Sequence, residues 1–265
     1  MRWARTRHEG RASYAIVEDD ELVLVDGTPF AGYERTAARI PLSDATLLPP
    51  VVPPTFYAVG FNYPRHNAEA AARVAKVATP ERPEVGYRAQ SALIGHGDAI
   101  VKPADCIGPF EAEAELVAVI GRDVRNSSRD EAEASVFGWT IGNDVSARIW
   151  QRSDRTLWRA KNSDTFKPMG PWIETDADPL AATTTVTLDG GKLAEFPTGA
   201  MLFDPYEYIA AMSRYITLSP GDVVWLGTDE TATFLPGQVV EITIDGIGTL
   251  ANPVVQETFV TEERS

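Results

Sequence analysis

Residues 111–121 alternate acidic and small side chains, Glu-Ala-Glu-Ala-Glu, and then continue as the apolar run Leu-Val-Ala-Val-Ile-Gly. If residues 111–120 form a β-strand, side chains two apart share a face, so Glu111, Glu113 and Glu115 stand together. Their charges repel and glutamate is a poor strand former, but a bound cation would remove the repulsion. Carboxylate oxygens suit hard ions such as Mg²⁺ or Mn²⁺. On spacing alone, a solvated strand face or a short acidic helix stays an open alternative.

A further carboxylate lies in residues 142–151, which read Gly-Asn-Asp-Val-Ser-Ala-Arg-Ile-Trp-Gln. Asp144 can complete a three-carboxylate metal site, and Arg148 and Gln151, further along the chain, can bind a substrate carboxylate. The alternative is a turn in which Asp144 caps a following helix. This pattern by itself does not decide between the two.

His66 and Glu69 lie three residues apart in residues 64–76, whose Ala, Glu and Lys content predicts a helix. Neighbours at i and i+3 share a helix face, so the carboxylate can orient the imidazole and raise its basicity. Such a pair can deprotonate water. An exposed pair that stabilises the helix by roughly a few tenths of a kcal/mol is the simpler alternative.

The remaining sequence predicts an α+β protein that is mostly β, with few helices. Residues 12–26 form two apolar runs around an acidic turn, and residues 241–250 carry Asp-Gly between two apolar runs, so both segments predict hairpins. Four prolines between residues 49 and 54 break the chain. We therefore predict a small N-terminal β-rich domain over residues 1–54 and a catalytic domain over residues 55–265.

Two helix starts are marked by capping residues. Ser128 has capping-box spacing to Glu131, and Asp204 is followed by a proline and then by Glu207 at the third helical position. Side chains of this kind accept from the first free N–H groups of a helix. We expect short helices to begin at both places.

The formal net charge of the 265 residues is -14. Nucleic-acid binding needs clustered Lys and Arg, so neither a nucleic acid nor an anionic membrane is an expected partner. No apolar run approaches the roughly 18 residues that span a bilayer, and we expect a cytoplasmic protein. Cys106 is the only cysteine, which excludes a disulfide framework and a thiolate zinc cluster. An acidic protein that acts on an acid needs a local cation to hold it.

Seven segments, taken in order, resemble the fumarylacetoacetate hydrolase family. The segments are N-Y-x-x-H-x-x-E at 62–69, S-A-L-I-G-H-G-D at 91–98, E-A-E-L-V-A-V-I-G at 113–121, G-N-D-V-S-A-R at 142–148, K-N-S-D-T-F-x-P-M-G-P at 161–171, T-L-S-P-G-D-V-V at 217–224 and G-I-G-T-L-A-N at 246–252. Each segment is unspecific alone, but their order along the chain is specific.

This resemblance implies a mixed β-roll catalytic domain, a small N-terminal domain and a homodimer. It implies Mg²⁺ or Mn²⁺ as the cofactor, with Glu113, Glu115 and Asp144 as its ligands and with Glu111 outside the ligand set. The other matching positions are His66 and Glu69 as a dyad on a mobile lid, Lys161 as the active-site lysine, and Arg148, Gln151 and Thr228 as substrate contacts.

The sequence also departs from the family pattern. Arg88 stands where many members have lysine, and Ile149 stands where many have aspartate. Residues 227–231 read Gly-Thr-Asp-Glu-Thr in place of the family's G-T-P-x-G-V-G turn, although Thr228 is kept. These departures alter the distal end of the predicted pocket, and therefore the substrate, more than the metal site.

The resemblance implies an enzyme that hydrolyses a C–C bond in a small 2,4-dioxo acid of the acylpyruvate or fumarylpyruvate type. In this hypothesis the ion is a Lewis acid for the enolate that C–C cleavage releases, and His66 deprotonates the attacking water. Isomerisation, hydration or decarboxylation of a 2-oxo acid is the alternative within the family. A non-catalytic metal- or ligand-binding protein is the alternative from another class. His66, Glu69 and Lys161 argue against it, because metal binding alone needs none of them.

Overall fold

The computed structural model describes residues 1–73 and 79–258, with the backbone alone described at residues 69–73. Within these residues there are nineteen β-strands and four α-helices, which confirms the predicted β-dominated α+β class. The strands are β1 (Arg2–His8), β2 (Arg11–Glu18), β3 (Glu21–Thr28), β4 (Gly32–Pro41), β5 (Thr46–Leu48), β6 (Phe56–Val59), β7 (Val85–Tyr87), β8 (Leu93–Ile94), β9 (Ile100–Lys102), β10 (Phe110–Ile120), β11 (Val136–Asn143), β12 (Ser146–Ala147), β13 (Lys167–Glu174), β14 (Thr183–Leu188), β15 (Gly191–Pro197), β16 (Val223–Trp225), β17 (Thr231–Thr233), β18 (Val239–Ile244) and β19 (Gly248–Gln256). The helices are α1 (Pro64–Arg73), α2 (Arg129–Glu133), α3 (Arg148–Gln151) and α4 (Pro205–Ser213).

The described strands form two sheets. The larger sheet has the order β4-β3-β2-β1-β13-β11-β10-β16-β6-β7, and the smaller one has the order β15-β14-β18-β19-β9. The N-terminal strands enter the larger sheet because β1 pairs with β13, with Arg2 opposite Glu174 and Trp3 opposite Ile173. The predicted boundary at residue 54 stays a prediction. None of the described helices has the length and apolar character needed to cross a membrane.

Both predicted hairpins are present. β2 and β3 pair antiparallel around a tight turn in which Asp19 has a positive φ of 50°. β18 and β19 pair antiparallel through residues 245–247, where Gly246 has a φ of 78°. Glycine adopts such an angle without steric cost, which explains the Asp-Gly pair at this turn.

The two predicted capping boxes are also confirmed. At α2, the Ser128 side chain accepts from the Glu131 N–H, and the Glu131 carboxylate accepts from the Ser128 N–H. At α4, Asp204 and Glu207 make the same reciprocal pair. Helix α1 begins at Pro64 as predicted, and the part of the predicted helix that falls in residues 74–78 lies outside the described residues.

Strand β10 lies at the centre of the larger sheet, between β11 and β16, and all of its residues are buried. Ala112, Ala114 and Leu116 belong to the main hydrophobic core. Because side chains alternate along a strand, the glutamates at 111, 113 and 115 share the other face. The strand prediction is therefore confirmed, and a solvated face and an acidic helix are both excluded. Buried carboxylates are costly unless they are partnered, so this face needs cations.

Candidate metal centre and active site

Strands β10 and β11 position three carboxylates. Their antiparallel pairing sets Ala114 opposite Asn143, so the next residue, Asp144, lies beside the acidic face of β10. The Asp144 N–H donates to the Glu113 carbonyl oxygen at 3.0 Å. Glu113, Glu115 and Asp144 are all buried, and each offers one carboxylate oxygen within 4.8 Å of the others. The structure thus brings together the three residues predicted as metal ligands.

Arg148, the first residue of α3, lies across the acidic face of β10. Its Nε donates to Glu111 Oε2 at 2.7 Å, its Nη2 to Glu113 Oε1 at 2.6 Å and its Nη1 to Gln151 Oε1 at 2.8 Å. Burial acts to lower the pKa of Arg148, but Glu113 and Glu111 outweigh burial and raise it. Arg148 and Gln151 are therefore adjacent, as predicted. In this structure the Arg148 guanidinium binds the carboxylates of Glu113 and Glu111, of which Glu111 lies outside the three-carboxylate group.

Lys161 bridges two of the three carboxylates. Its Nζ donates to Glu113 Oε2 at 2.6 Å and to Asp144 Oδ2 at 2.8 Å. Burial acts to raise the pKa of Glu113, but Lys161 and Arg148 outweigh it and lower that pKa to about 2. The predicted active-site lysine thus lies within the cluster and keeps Glu113 ionised.

Asp144 receives two further cations. Arg88 donates from Nε to Oδ1 at 3.2 Å and from Nη2 to Oδ2 at 2.8 Å. The Nζ of Lys167 lies 2.5 Å from Asp144 Oδ1. Burial would raise the pKa of Asp144, but Arg88, Lys161 and Lys167 together hold it well below its usual range. Asp144 is therefore ionised at neutral pH.

Glu115 has a different environment. Its Oε2 accepts from the Gly227 N–H at 2.8 Å. Burial raises the pKa of Glu115 first, and the charges of Asp144 and Glu113 add to it, so that the pKa reaches about 8. At neutral pH, therefore, Glu115 is mainly protonated, and a divalent cation bound there would displace this proton. Three buried carboxylates, one of them protonated because negative charge is crowded, are a donor set that fits a hard divalent ion.

Helix α1 places His66 close to this cluster. The side chain of His66 is half-buried, its ring centroid lies 6.1 Å from that of Phe61, and its charge lowers the pKa of Glu113. Arg65 on the same helix forms an ion pair with Glu230, which joins α1 to residues 227–231. Glu69 lies on α1, but its side chain is outside the described residues, so the His66–Glu69 dyad stays a prediction.

The loop after β16 forms another wall of the site. Gly227 supplies the N–H that binds Glu115, and its φ of 84° explains the glycine. Thr228 is buried, and its hydroxyl donates to the Glu230 carbonyl oxygen at 2.8 Å. Thr228 is therefore next to the residue that contacts a predicted ligand, while its hydroxyl stabilises the loop. Its role as a substrate contact stays a prediction.

Arg88 and Lys167 are not among the predicted site residues, yet both contact Asp144. Lys167 lies in the run Phe-Lys-Pro-Met-Gly-Pro-Trp, at 166–172, at the start of β13. A single lysine among apolar residues signals a buried cation that requires a carboxylate partner. The sequence therefore contains a signal for Lys167. Arg88 lies in a polar stretch without a comparable pattern.

Comparison with known proteins identifies the family. The family model described as fumarylacetoacetate (FAA) hydrolase C-terminal matches residues 55–255. The chain belongs to the fumarylacetoacetate hydrolase family. A second model, described as Rv2993c-like, N-terminal, matches residues 1–50. The resemblance drawn from the seven sequence segments is thus confirmed.

Relatives in this family match over most of their length. Protein Rv2993c of Mycobacterium tuberculosis is 38% identical over 233 residues, which is 86% of each chain. The crystal structure of 5-carboxymethyl-2-hydroxymuconate delta-isomerase from Mycobacterium smegmatis is 37% identical, with a TM-score of 0.86 over 97% of this chain and 100% of that one. Maleylpyruvate hydrolase from Sphingobium sp. SYK-6, solved with manganese(II) and pyruvate, is 26% identical, with a TM-score of 0.79 over the same shares of the two chains.

Other relatives carry the names of different reactions. They include a mitochondrial oxaloacetate tautomerase of Rattus norvegicus at 32% identity, the 4-hydroxyphenylacetate degradation bifunctional isomerase/decarboxylase of Salmonella dublin at 33%, and the 2,4-didehydro-3-deoxy-L-rhamnonate hydrolase of a Sphingomonas strain at 33%. The family therefore includes hydrolases, isomerases, decarboxylases and tautomerases, and its membership supports an enzymatic activity for this chain.

Proposed function

We propose that this chain is a divalent-metal-dependent hydrolase that cleaves a C–C bond in a small 2,4-dioxo acid. The observation that carries the proposal is the buried group Glu113, Glu115 and Asp144, with Lys161 bridging two of its members. Mg²⁺ or Mn²⁺ fits these three carboxylates. When bound there, the ion supplies Lewis acidity and the local positive charge that a protein of net charge -14 needs to hold an acid.

His66 is the general base in this proposal. It lies on α1 within electrostatic reach of Glu113, on a helix that is joined to residues 227–231 by the Arg65–Glu230 ion pair. A histidine there can take a proton from water and direct the resulting nucleophile at the distal carbonyl of the substrate. Base catalysis of this kind contributes roughly 10²–10⁴-fold to the rate. Glu69, on the same helix, orients the imidazole.

Lys161 is the donor to developing negative charge. In the absence of an ion its amine is shared between Glu113 and Asp144. With a divalent ion held by Glu113 and Asp144, the Lys161 amine would be free to donate to a substrate oxygen. Losing one such donor typically costs about 3–4 kcal/mol of transition-state stabilisation. The proposal assigns the substrate contacts to Arg148, Gln151 and Thr228.

The proposed substrate class follows from the charges. A 2-oxo acid presents a carboxylate and an adjacent carbonyl oxygen, and a site with Lys161, Arg88 and a divalent ion favours this pair of oxygens. The pyruvate and manganese(II) in the maleylpyruvate hydrolase structure support the same class.

Isomerisation is the second candidate, because the relative of 37% identity solved from Mycobacterium smegmatis is named an isomerase. The same group of residues serves it if α1 excludes water from the site, since a proton can then be returned to carbon in place of hydrolysis. Decarboxylation and hydration belong to the same alternative.

Self-association and a cytoplasmic location belong to the proposal as well. The side chains of Ile107, Ile149 and Trp158 are exposed, with Trp158 at 66%, and they are the candidate contacts with a second copy of the chain. Light scattering on the purified protein is expected to give twice the chain mass of 28.9 kDa. A mass of one chain would contradict the proposed homodimer.

The experiment that tests the function follows the enol absorbance of a simple acylpyruvate with Mg²⁺ or Mn²⁺ added and then chelated. Coupling to lactate dehydrogenase separates hydrolysis, which releases pyruvate, from isomerisation, which does not. We expect metal-dependent loss of absorbance with stoichiometric pyruvate, abolished by chelator and by Asp144→Asn. Absorbance loss without pyruvate would support the isomerase, and no change under any condition would contradict both.

A further inference from the structure

Lys167 is a second buried lysine at the three-carboxylate group. Its side chain is 0% exposed, and its Nζ lies 2.5 Å from Asp144 Oδ1. The amine also donates to the carbonyl oxygens of Phe166 at 2.8 Å and Val145 at 3.3 Å. Its partners are thus one carboxylate and two backbone acceptors, which together satisfy all three of its N–H groups. An amine placed in this way is fixed in position.

The Asp144 carboxylate contacts three cationic side chains. Arg88 and Lys161 already donate to this carboxylate, and Lys167 is the third cation on it. Among the described residues, the carboxylates of the network are Glu111, Glu113, Glu115 and Asp144, and the Arg and Lys side chains bound to them are Arg88, Arg148, Lys161 and Lys167. With Glu115 protonated, these groups carry one positive charge in excess at neutral pH; with a divalent ion bound and the Glu115 proton displaced, they would carry two.

We propose that Lys167 also contacts Asp144 when the divalent ion is bound. Its positive charge then weakens binding of the ion and strengthens binding of doubly negative ligands to the metal-loaded site. The inference rests on the proposed function, since it assumes that Glu113, Glu115 and Asp144 bind the ion. It assigns Lys167 as a positioning residue, because it acts on the ligand through the charge that it adds beside Asp144. A dianion such as oxalate, or the doubly negative enolate form of a 2-oxo acid, is the ligand class that matches the excess charge.

Two effects of opposite sign follow from the removal of this charge. In Lys167→Met, Asp144 loses a competing cation, so Mn²⁺ binds more tightly, by about tenfold or more for a unit charge a few ångströms away. Oxalate then binds the Mn²⁺-loaded variant about tenfold more weakly, because the excess positive charge is reduced from two to one. Pyruvate, with one negative charge, loses less. Loss of packing or of order at Asp144 would weaken the binding of both Mn²⁺ and oxalate. Opposite changes in the two affinities therefore indicate an electrostatic role, and a loss of both indicates a structural one.

The test is calorimetric titration of the full-length protein with Mn²⁺, and of the Mn²⁺-loaded protein with oxalate and with pyruvate. Lys167→Gln is the second variant. Its amide keeps donors for the Phe166 and Val145 carbonyl groups, so we expect it to disturb the fold less than Lys167→Met does. Lys102→Met is the matched control. Lys102 is also a buried lysine, but its amine donates to the Gly108 carbonyl oxygen, so both affinities are expected to stay as in the wild type.

Tighter binding of Mn²⁺ and weaker binding of oxalate in both Lys167 variants would support the proposal. Unchanged affinities, or a loss of both, in folded variants would overturn it. Failure of the wild-type protein to bind Mn²⁺ would instead contradict the proposed function, so the two failures are distinguishable.

Discussion

Replacing Glu115 by glutamine removes the carboxylate that is hardest to ionise in the metal-free protein. The pKa of Glu115 is raised from 4.5 to about 8 in the folded chain. A carboxyl group whose pKa is higher in the folded than in the unfolded chain makes its full contribution to stability only below its unfolded pKa. This contribution is lost as the pH rises through the folded pKa. In the absence of metal, the wild type therefore loses stability relative to Glu115→Gln as the pH rises from about 4.5 to about 8.

The size of the effect follows from the shift. One pKa unit corresponds to about 1.4 kcal/mol, so the wild-type penalty at pH 8 is on the order of 4 kcal/mol. Glutamine keeps an acceptor for the Gly227 N–H, but it buries an amide group whose desolvation costs about 1–3 kcal/mol. The net gain of Glu115→Gln is therefore about 2 kcal/mol, or about 4–8 °C in Tm for a chain of this size.

The assay is thermal unfolding at pH 8, followed by circular dichroism, first with EDTA and then with excess Mn²⁺. The order of the two proteins is expected to reverse with Mn²⁺, because an ion at 100 times its Kd stabilises the wild type by about 2.7 kcal/mol and loses a ligand in the variant. Glu21→Gln, at an exposed position of β3, is the matched control and should follow the wild type. A Glu115→Gln protein that is less stable than the wild type by the same amount in both conditions would contradict both the raised pKa of Glu115 and its role as a metal ligand.

Three further predictions concern the catalytic residues and pH. His66→Gln should lower kcat by roughly 10²–10⁴-fold in steady-state assays while Mn²⁺ affinity in calorimetry stays nearly unchanged; an unchanged kcat would remove the role of base. Lys161→Met should bind Mn²⁺ at least as tightly as the wild type, because one competing cation is gone, yet kcat should fall by roughly 10²–10³-fold. Weaker Mn²⁺ binding would argue against competition between Lys161 and the ion for the same carboxylates. Mn²⁺ affinity should rise up to about tenfold per pH unit below about 8 and then level off, because binding displaces the Glu115 proton; equal heats in buffers of different ionisation enthalpy would show that no proton leaves.

Local patterns in the sequence predicted much of the fold. The alternation at 111–115 predicted a strand with its glutamates on one face, and the capping residues Ser128 and Asp204 predicted the starts of two helices. These features depend on neighbours within a few residues, where the periodicity of side chains and the free N–H groups of a helix decide the outcome. The order of strands in the larger sheet does not follow from such local rules, because it is set by packing between distant segments.

The site was predictable to the extent that its residues carry a spacing or a family pattern. Glu113, Glu115 and Asp144 meet as expected because β10 and β11 pair in one register. The sequence does not show which residues pair in three contacts: the salt bridge of Arg148 to Glu111, and the contacts of Arg88 and Lys167 with Asp144. Each joins residues far apart in the chain, and each exists because carboxylates buried on a sheet face need cations from whichever segments pack there.

The proposed metal centre requires that Glu113, Glu115 and Asp144 together bind one divalent ion. Calorimetric titration with Mn²⁺ at pH 8 tests it directly, with Asp144→Asn as the variant and Asp26→Asn, at an exposed position of β3, as the control. We expect one ion per chain in the wild type and in the control, with affinity at least tenfold weaker in Asp144→Asn. Equal Mn²⁺ binding in all three proteins, or none in the wild type, would contradict the proposed metal centre.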